Sequence, residues 1–99
     1  MEKSREILQN KQFRGQIMRI GAMFYPTPVT VRQIKISLQE YGIGTAADII
    51  KHLVYLEGKS YISCESGTIG DNKDDDRIMI TSKGIDLVEG TINDDGLYL

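Results

Sequence analysis

Several side chains that can bind phosphate groups lie between residues 30 and 56 of this 99-residue chain. Arg32, Lys35 and Lys51 supply positive charge, and the Tyr55 hydroxyl can donate a hydrogen bond to a phosphate oxygen. A lysine such as Lys51 can also contact the edge of a guanine base. These residue types indicate a polyanionic ligand, provided that the local structure brings them to one surface.

Two predicted helices position these residues. The first begins at the cap Thr30, with Gln33 three residues later as in a capping box. Its apolar residues recur at helical spacing until Gly42 ends the run: Val31, Ile34, Leu38 and Tyr41. The second begins at the cap Thr45, with Asp48 three residues later, and it presents one apolar face: Ala46, Ile49, Ile50, Leu53 and Leu56.

A helix, a short glycine-containing turn and a second helix form the helix-turn-helix pattern, whose second helix can lie in the major groove of DNA. On that helix we expect an outward stripe of Asp48, Lys51, His52 and Tyr55, with Asp48 capping its own helix rather than contacting a cytosine. Thr45 lies near the start of the helix, where such helices contact base edges. We therefore predict DNA contact by six residues: Arg32, Lys35, Thr45, Lys51, His52 and Tyr55.

A further helix is predicted before this pair, over residues 13–24. Gly15 and Gly21 each weaken it by about 1 kcal/mol relative to alanine, so we expect a closely packed neighbour at these positions. The prolines of Tyr25-Pro26-Thr27-Pro28 end the helix, and a very short strand is predicted at Val29. The apolar stripe of this helix has spacings of four, three and four: Phe13, Ile17, Ile20 and Phe24.

A β-hairpin is predicted after the helix pair. Residues 61–65 and 77–81 each alternate apolar and polar side chains, as half-buried strands do. Residues 66–76 between them are rich in Gly, Asn and Asp, which is typical of a loop. A short last helix follows, capped by Thr81 or Ser82.

This order of elements predicts one α+β domain, a winged helix-turn-helix. It has a three-helix core, a two- or three-stranded β-hairpin wing and a short C-terminal helix. We assign residues 1–12 to an N-terminal arm, helical or frayed, residues 13–90 to the domain and residues 91–99 to a C-terminal tail. The tail ends in apolar residues that can pack on their own domain or on a second copy. A homodimer through the arm and the tail is the predicted assembly.

Two stretches resemble known winged-helix proteins. Residues 80–90, ITSKGIDLVEG, resemble the end of many regulators of the MarR and PadR type. Residues 39–57, QEYGIGTAADIIKHLVYLE, together with residues 84–91, GIDLVEGT, are similar to small winged-helix proteins of Mu-like prophages. The resemblance covers roughly residues 14–96. It implies a phage- or prophage-type protein that binds double-stranded DNA and regulates transcription, with the second helix of the pair in the major groove.

The charge of the chain favours a different function. The net charge is −2, whereas nucleic-acid-binding domains are usually basic. The predicted wing carries Asp71 and three consecutive aspartates at residues 74–76 against Lys73 and Arg77, and carboxylates beside phosphates are unfavourable. The alternative prediction is therefore a winged-helix protein–protein interaction module that does not bind DNA and that uses the acidic wing or the apolar tail.

Catalysis and metal binding have little support in this sequence. A single cysteine, Cys64, excludes an internal disulfide and a cysteine zinc cluster, and His52 is the only histidine. We predict that the chain is not an enzyme and uses no cofactor or metal. No apolar run approaches the roughly 20 residues that span a bilayer, and the N-terminus lacks the apolar core of a signal peptide. The expected location is therefore the cytoplasm.

Overall fold

The structure, a computed structural model, describes residues 2–40, 49–65 and 74–99. Within these ranges the chain forms an α+β domain, as predicted, with four helices around a three-stranded antiparallel sheet. The helices are α1 (Glu2–Phe24), α2 (Val31–Glu40), α3 (Ile49–Gly58) and α4 (Ser82–Val88). The strands are β1 (Val29–Thr30), β2 (Ile62–Cys64) and β3 (Arg77–Ile80).

The long helix α1 includes residues 2–12 of the predicted arm as well as the predicted helix over residues 13–24. No proline or glycine interrupts residues 2–12, so the helical pattern continues back to Glu2, and the proposed boundary at residue 12 lies inside α1. The side chains from Ser4 to Gln9 are exposed. The helix ends at Phe24, followed by Pro26, which has no amide hydrogen to donate.

The strand β3 is the centre of the sheet and pairs antiparallel with both β1 and β2. Ile78 lies between Val29 of β1 and Cys64 of β2, and all three side chains are buried. The predictions of a very short strand at Val29 and of two strands before α4 are therefore confirmed.

Side-chain caps begin two of the helices. Gln33 donates its backbone amide to Thr30 Oγ1 at 3.1 Å, and Gln33 Oε1 accepts from the Thr30 amide at 2.9 Å, which confirms the predicted capping box. At α4 the cap is Thr81 rather than Ser82, because Thr81 Oγ1 accepts from the Gly84 amide at 3.1 Å.

The core lies between α1, the helix pair α2–α3 and the inner face of the sheet. Phe24, predicted on the apolar stripe of α1, is 37 % exposed in the last turn of the helix, whereas Met18 is fully buried. The buried face of α1 is wider than the predicted stripe because α1 packs against α2, α3, α4 and β3 together. The largest fully buried aliphatic side chains come from α1, α2, α3 and β3: Ile17, Ile20, Ile34, Ile49, Leu53, Leu56, Ile78 and Ile80.

Part of the C-terminal tail packs on its own domain, the first of the two alternatives for it. Leu97 is buried in the core, and the backbone amide of Tyr98 donates to the Lys11 carbonyl at 3.0 Å. The tail therefore lies across the middle of α1, and Tyr98 and Leu99 remain exposed on its outer side.

Candidate nucleic-acid interface

The two cations predicted on α2 are both paired with carboxylates of the residues just before β3. Arg32 Nη1 lies 2.8 Å from Asp75 Oδ1, and Lys35 Nζ lies 2.7 Å from Asp74 Oδ1. These aspartates belong to the last three residues before β3, Asp74 to Asp76, which we call the acidic segment. The start of α2 therefore presents two positive and two negative charges close together, and not a free basic patch.

The backbone of the acidic segment is bonded to the same helix. The Val31 amide donates to the Asp76 carbonyl at 3.0 Å, and the Arg32 amide donates to the Asp74 carbonyl at 3.0 Å. Amides in the first turn of a helix have no partner within the helix, so these two bonds satisfy groups that would otherwise need water. The acidic segment is therefore fixed to the start of α2 by its main chain as well as by its side chains.

The ion pairs lie at the surface. The Arg32 side chain is 55 % exposed and that of Asp75 is 84 % exposed. A hydrogen bond from Lys35 holds the pKa of the Asp74 carboxyl below its usual range, and the charge of Lys35 acts in the same direction. Exposed pairs of this kind contribute little to folding stability and are screened by salt. Another anion can therefore compete for Arg32 and Lys35 without disturbing the fold.

His52 is buried in the core, and the prediction that it lies on the outward stripe of the second helix is wrong. Only 1 % of His52 is exposed, and its ring packs against that of Phe13 with 4.5 Å between centroids. The spacing explains this position, because His52 falls three residues after Ile49 and four before Leu56, on the apolar face of α3. His52 therefore has the sequence spacing of a buried residue, although its side chain is polar.

The Tyr55 side chain is also partly buried and packs against the core of the domain. The Arg14 guanidinium lies over the Tyr55 ring, 3.8 Å from its centroid, and Arg14 Nη1 donates to the Gly96 carbonyl at 2.9 Å. The prediction that Tyr55 lies on the outward stripe is therefore wrong. Arg14 was not among the predicted site residues, and no sequence signal links it to a tyrosine on α3.

The described outer face of α3 is narrow and carries little charge. Lys51 and Val54 are exposed on it, and Lys51 has no ion pair with a described residue. Thr45 and Asp48, which were predicted at the start of this helix, lie outside the described residues. Of the six predicted contact residues, the structure thus places Arg32, Lys35 and Lys51 at the surface.

A second polar cluster joins the tail to the body of the domain. The Tyr61 hydroxyl donates to Asp94 Oδ2 at 2.6 Å, the Gly96 amide donates to Asp94 Oδ1 at 2.7 Å, and Lys59 Nζ lies 3.5 Å from Asp94 Oδ2. Burial, followed by the bond to Asp94, raises the pKa of Tyr61 to about 12. The same hydrogen bond from Tyr61 is the main cause that lowers the pKa of Asp94. Because these groups bind one another, the cluster has a structural role.

Within residues 2–40, 49–65 and 74–99, no group of three or more His, Cys, Asp or Glu side chains could hold a metal ion. No helix in this part of the chain is long and apolar enough to cross a membrane. No known protein family, curated protein or solved structure matches the chain.

Proposed function

We propose that this chain is a winged-helix protein of phage or prophage type that binds double-stranded DNA and regulates transcription. The order of its elements supports the proposal: α1, β1, α2 and α3 are followed by the antiparallel pair β2–β3, with β1 on the other side of β3. On this proposal α3 is the second helix of a helix-turn-helix pair and enters the major groove, and β2 and β3 belong to the wing.

The proposed contacts are those cations that lie at the surface of the helix pair. Arg32 and Lys35, at the start of α2, would contact the DNA backbone, and Lys51 on α3 would contact a phosphate or a guanine. Thr45 remains a predicted contact at the start of the second helix. His52 and Tyr55 are no longer proposed as contacts, because both side chains pack within the domain.

The salt dependence of DNA binding tests this proposal. We expect the wild-type protein to bind a duplex, detected by fluorescence anisotropy, with an affinity that falls as salt rises. Lys51→Ala should weaken binding and reduce the slope of log K against log salt by about 1. Arg19→Ala, an exposed cation of α1, is the matched control and should change neither quantity. Absence of wild-type binding at low salt contradicts the proposal.

A second candidate function has its own supporting observation. The acidic segment neutralises two of the three cations at the surface of the described parts of α2 and α3, and α3 exposes the apolar side chain of Val54 as well as Lys51. These features fit a protein–protein interaction module that has no DNA role. This candidate predicts no salt-dependent DNA binding under any condition of the same titration, so one experiment separates the two functions.

We also propose that the protein forms a homodimer through the arm and the tail. Ile7 and Leu8 are exposed on the arm, and Tyr98 and Leu99 are exposed on the tail. Leu8 lies two turns before Gly15, on the same face of α1, and Tyr98 packs against Gly15, so arm and tail share one surface. Sedimentation at tens of micromolar should show a dimer that Leu8→Glu disrupts and Gln9→Glu leaves intact.

A further inference from the structure

We infer that the acidic segment is an intramolecular competitor for the phosphates of DNA, in which Asp74 and Asp75 occupy the cations that a duplex needs. This inference rests on the proposed DNA binding and concerns the regulation of the same site. The acidic segment differs from a simple acidic patch because Asp74 and Asp75 are each paired with one of the proposed contact residues.

The carboxylate oxygens take the place of phosphate oxygens. Asp75 Oδ1 accepts from the Arg32 guanidinium at 2.8 Å, and Asp74 Oδ1 accepts from the Lys35 ammonium at 2.7 Å. Both distances are those of charge-assisted hydrogen bonds, and phosphate oxygens bind the same groups in the same way. A duplex that takes these two donor groups must therefore displace Asp75 from Arg32 Nη1 and Asp74 from Lys35 Nζ.

The main chain holds the competitor in place during this exchange. The Asp74 and Asp76 carbonyls accept from the first-turn amides of α2, and the next residue, Arg77, already belongs to β3, where it pairs with Thr30. The carboxylates thus stay near the start of α2 whether or not DNA is bound. Only the side chains exchange partners, and no movement of the backbone is required.

Two consequences follow for DNA binding. The displaced carboxylates remain beside the phosphates and repel them, so the affinity is lower than the exposed cations alone would give. They also attract counterions when they lose Arg32 and Lys35, which offsets part of the counterion release on the DNA. The acidic segment should therefore weaken binding to any sequence, so that a stable complex needs contacts beyond these two cations.

The test removes the two negative charges and keeps the side-chain volumes. We expect Asp74→Asn/Asp75→Asn to bind duplex DNA on the order of tenfold more tightly than the wild type at low salt, since each exposed pair contributes weakly. The magnitude of the salt slope should rise by up to about 2, because Arg32 and Lys35 then release counterions fully. The fold should persist, because the carbonyls that bind α2 are unchanged.

The matched control has the same change of net charge at another site. Asp86→Asn/Glu89→Gln neutralises two exposed carboxylates in α4 and the turn after it, and it should raise the affinity much less. An equal increase in this control would show a general charge effect and would overturn the inference.

A double-mutant cycle then locates the effect. In an Arg32→Gln/Lys35→Gln background, Asp74→Asn/Asp75→Asn should give a clearly smaller gain, because the aspartates no longer occupy any cation and only their repulsion of the phosphates is removed. An undiminished gain in that background overturns the inference while leaving DNA binding intact. DNA binding by the wild type with no gain in the Asp74→Asn/Asp75→Asn variant does the same. Absence of wild-type binding at low salt overturns the proposed function itself.

Discussion

The carbonyl group of Tyr98 lies directly against the Cα of Gly15, so that a Cβ at position 15 would overlap it. One turn before, the Lys11 carbonyl accepts from the Tyr98 amide. The tail thus crosses α1 at Gly15, one of the two positions of this helix that have no side chain. This contact gives a physical reason for a glycine inside α1, as the sequence led us to expect for this position.

Gly15→Ala should therefore destabilise the protein by about 2 kcal/mol, because the overlap with Tyr98 outweighs the gain in helix propensity. The measurement is the free energy of unfolding from urea denaturation. Gly21→Ala is the matched control on the same helix: its Cβ would meet Ile80 Cβ at 3.6 Å, an ordinary contact, so we expect about 1 kcal/mol of stabilisation. Equal stabilities of the two variants would contradict this account of the tail.

Substitutions at the neighbouring positions 51 and 52 should separate folding stability from the proposed DNA binding. His52→Ala removes a buried ring that packs against Phe13, and we expect a loss of about 2–4 kcal/mol in the free energy of unfolding. Lys51→Ala should change stability by less than about 0.5 kcal/mol, because the side chain is exposed. Thermal melts of both variants, with DNA titrations of Lys51→Ala, check the assignment. A stable His52→Ala protein would argue against the buried position.

The hydrogen bond between Tyr61 and Asp94 predicts a stability change at alkaline pH. Tyr61 keeps its proton up to a pKa of about 12 in the folded protein, against an ordinary value of 10.0. Between these values the unfolded chain loses this proton first, so stability falls as pH rises from 10 to 12, by on the order of 2 kcal/mol.

Tyr61→Phe tests this relationship. The variant should be less stable than the wild type at pH 7 by about 1–2 kcal/mol, since it leaves a partly buried carboxylate without one of its donors. Above pH 10 the difference should shrink, because phenylalanine has no proton to lose. Urea denaturation at pH 7, 10 and 11.5 measures both effects, and a parallel decline of the two proteins would contradict the prediction.

The cap of α4 gives a further prediction. Thr81 Oγ1 accepts from the Gly84 amide and donates to the Ser60 carbonyl at 2.6 Å, so Thr81→Ala should cost about 1–2 kcal/mol. Ser82→Ala alters the adjacent hydroxyl, which is the other candidate that the sequence offered, and should change stability by less than about 0.5 kcal/mol. A larger effect at Ser82 than at Thr81 would show that the cap is assigned to the wrong residue.

Local signals were sufficient to predict the elements of this fold. The capping box of Thr30 and Gln33, the short strand at Val29 and the alternation in β2 and β3 depend on residues that are near each other in sequence. Helix caps and strand periodicity act over a few residues, and their geometry follows from the backbone. The α+β class and the order of the described elements were predictable for that reason.

The candidate site depended on contacts that sequence spacing does not encode. Arg32 and Asp75 are 43 residues apart, and Lys35 and Asp74 are 39 apart, yet both pairs lie within 3 Å. The sequence shows the acidic run and the two cations, but it does not show that one neutralises the other. That outcome depends on β3 pairing beside β1, which brings the residues before β3 to the start of α2.

The sequence by itself therefore determined which segments of this chain become helices and strands, and where several of them begin. The tertiary structure decided which side chains remain available: it buried His52 against Phe13, placed Arg14 over Tyr55 and gave Arg32 and Lys35 carboxylate partners. Secondary structure is set by interactions along the backbone, whereas the exposure and charge of a surface are set by which distant elements pack together.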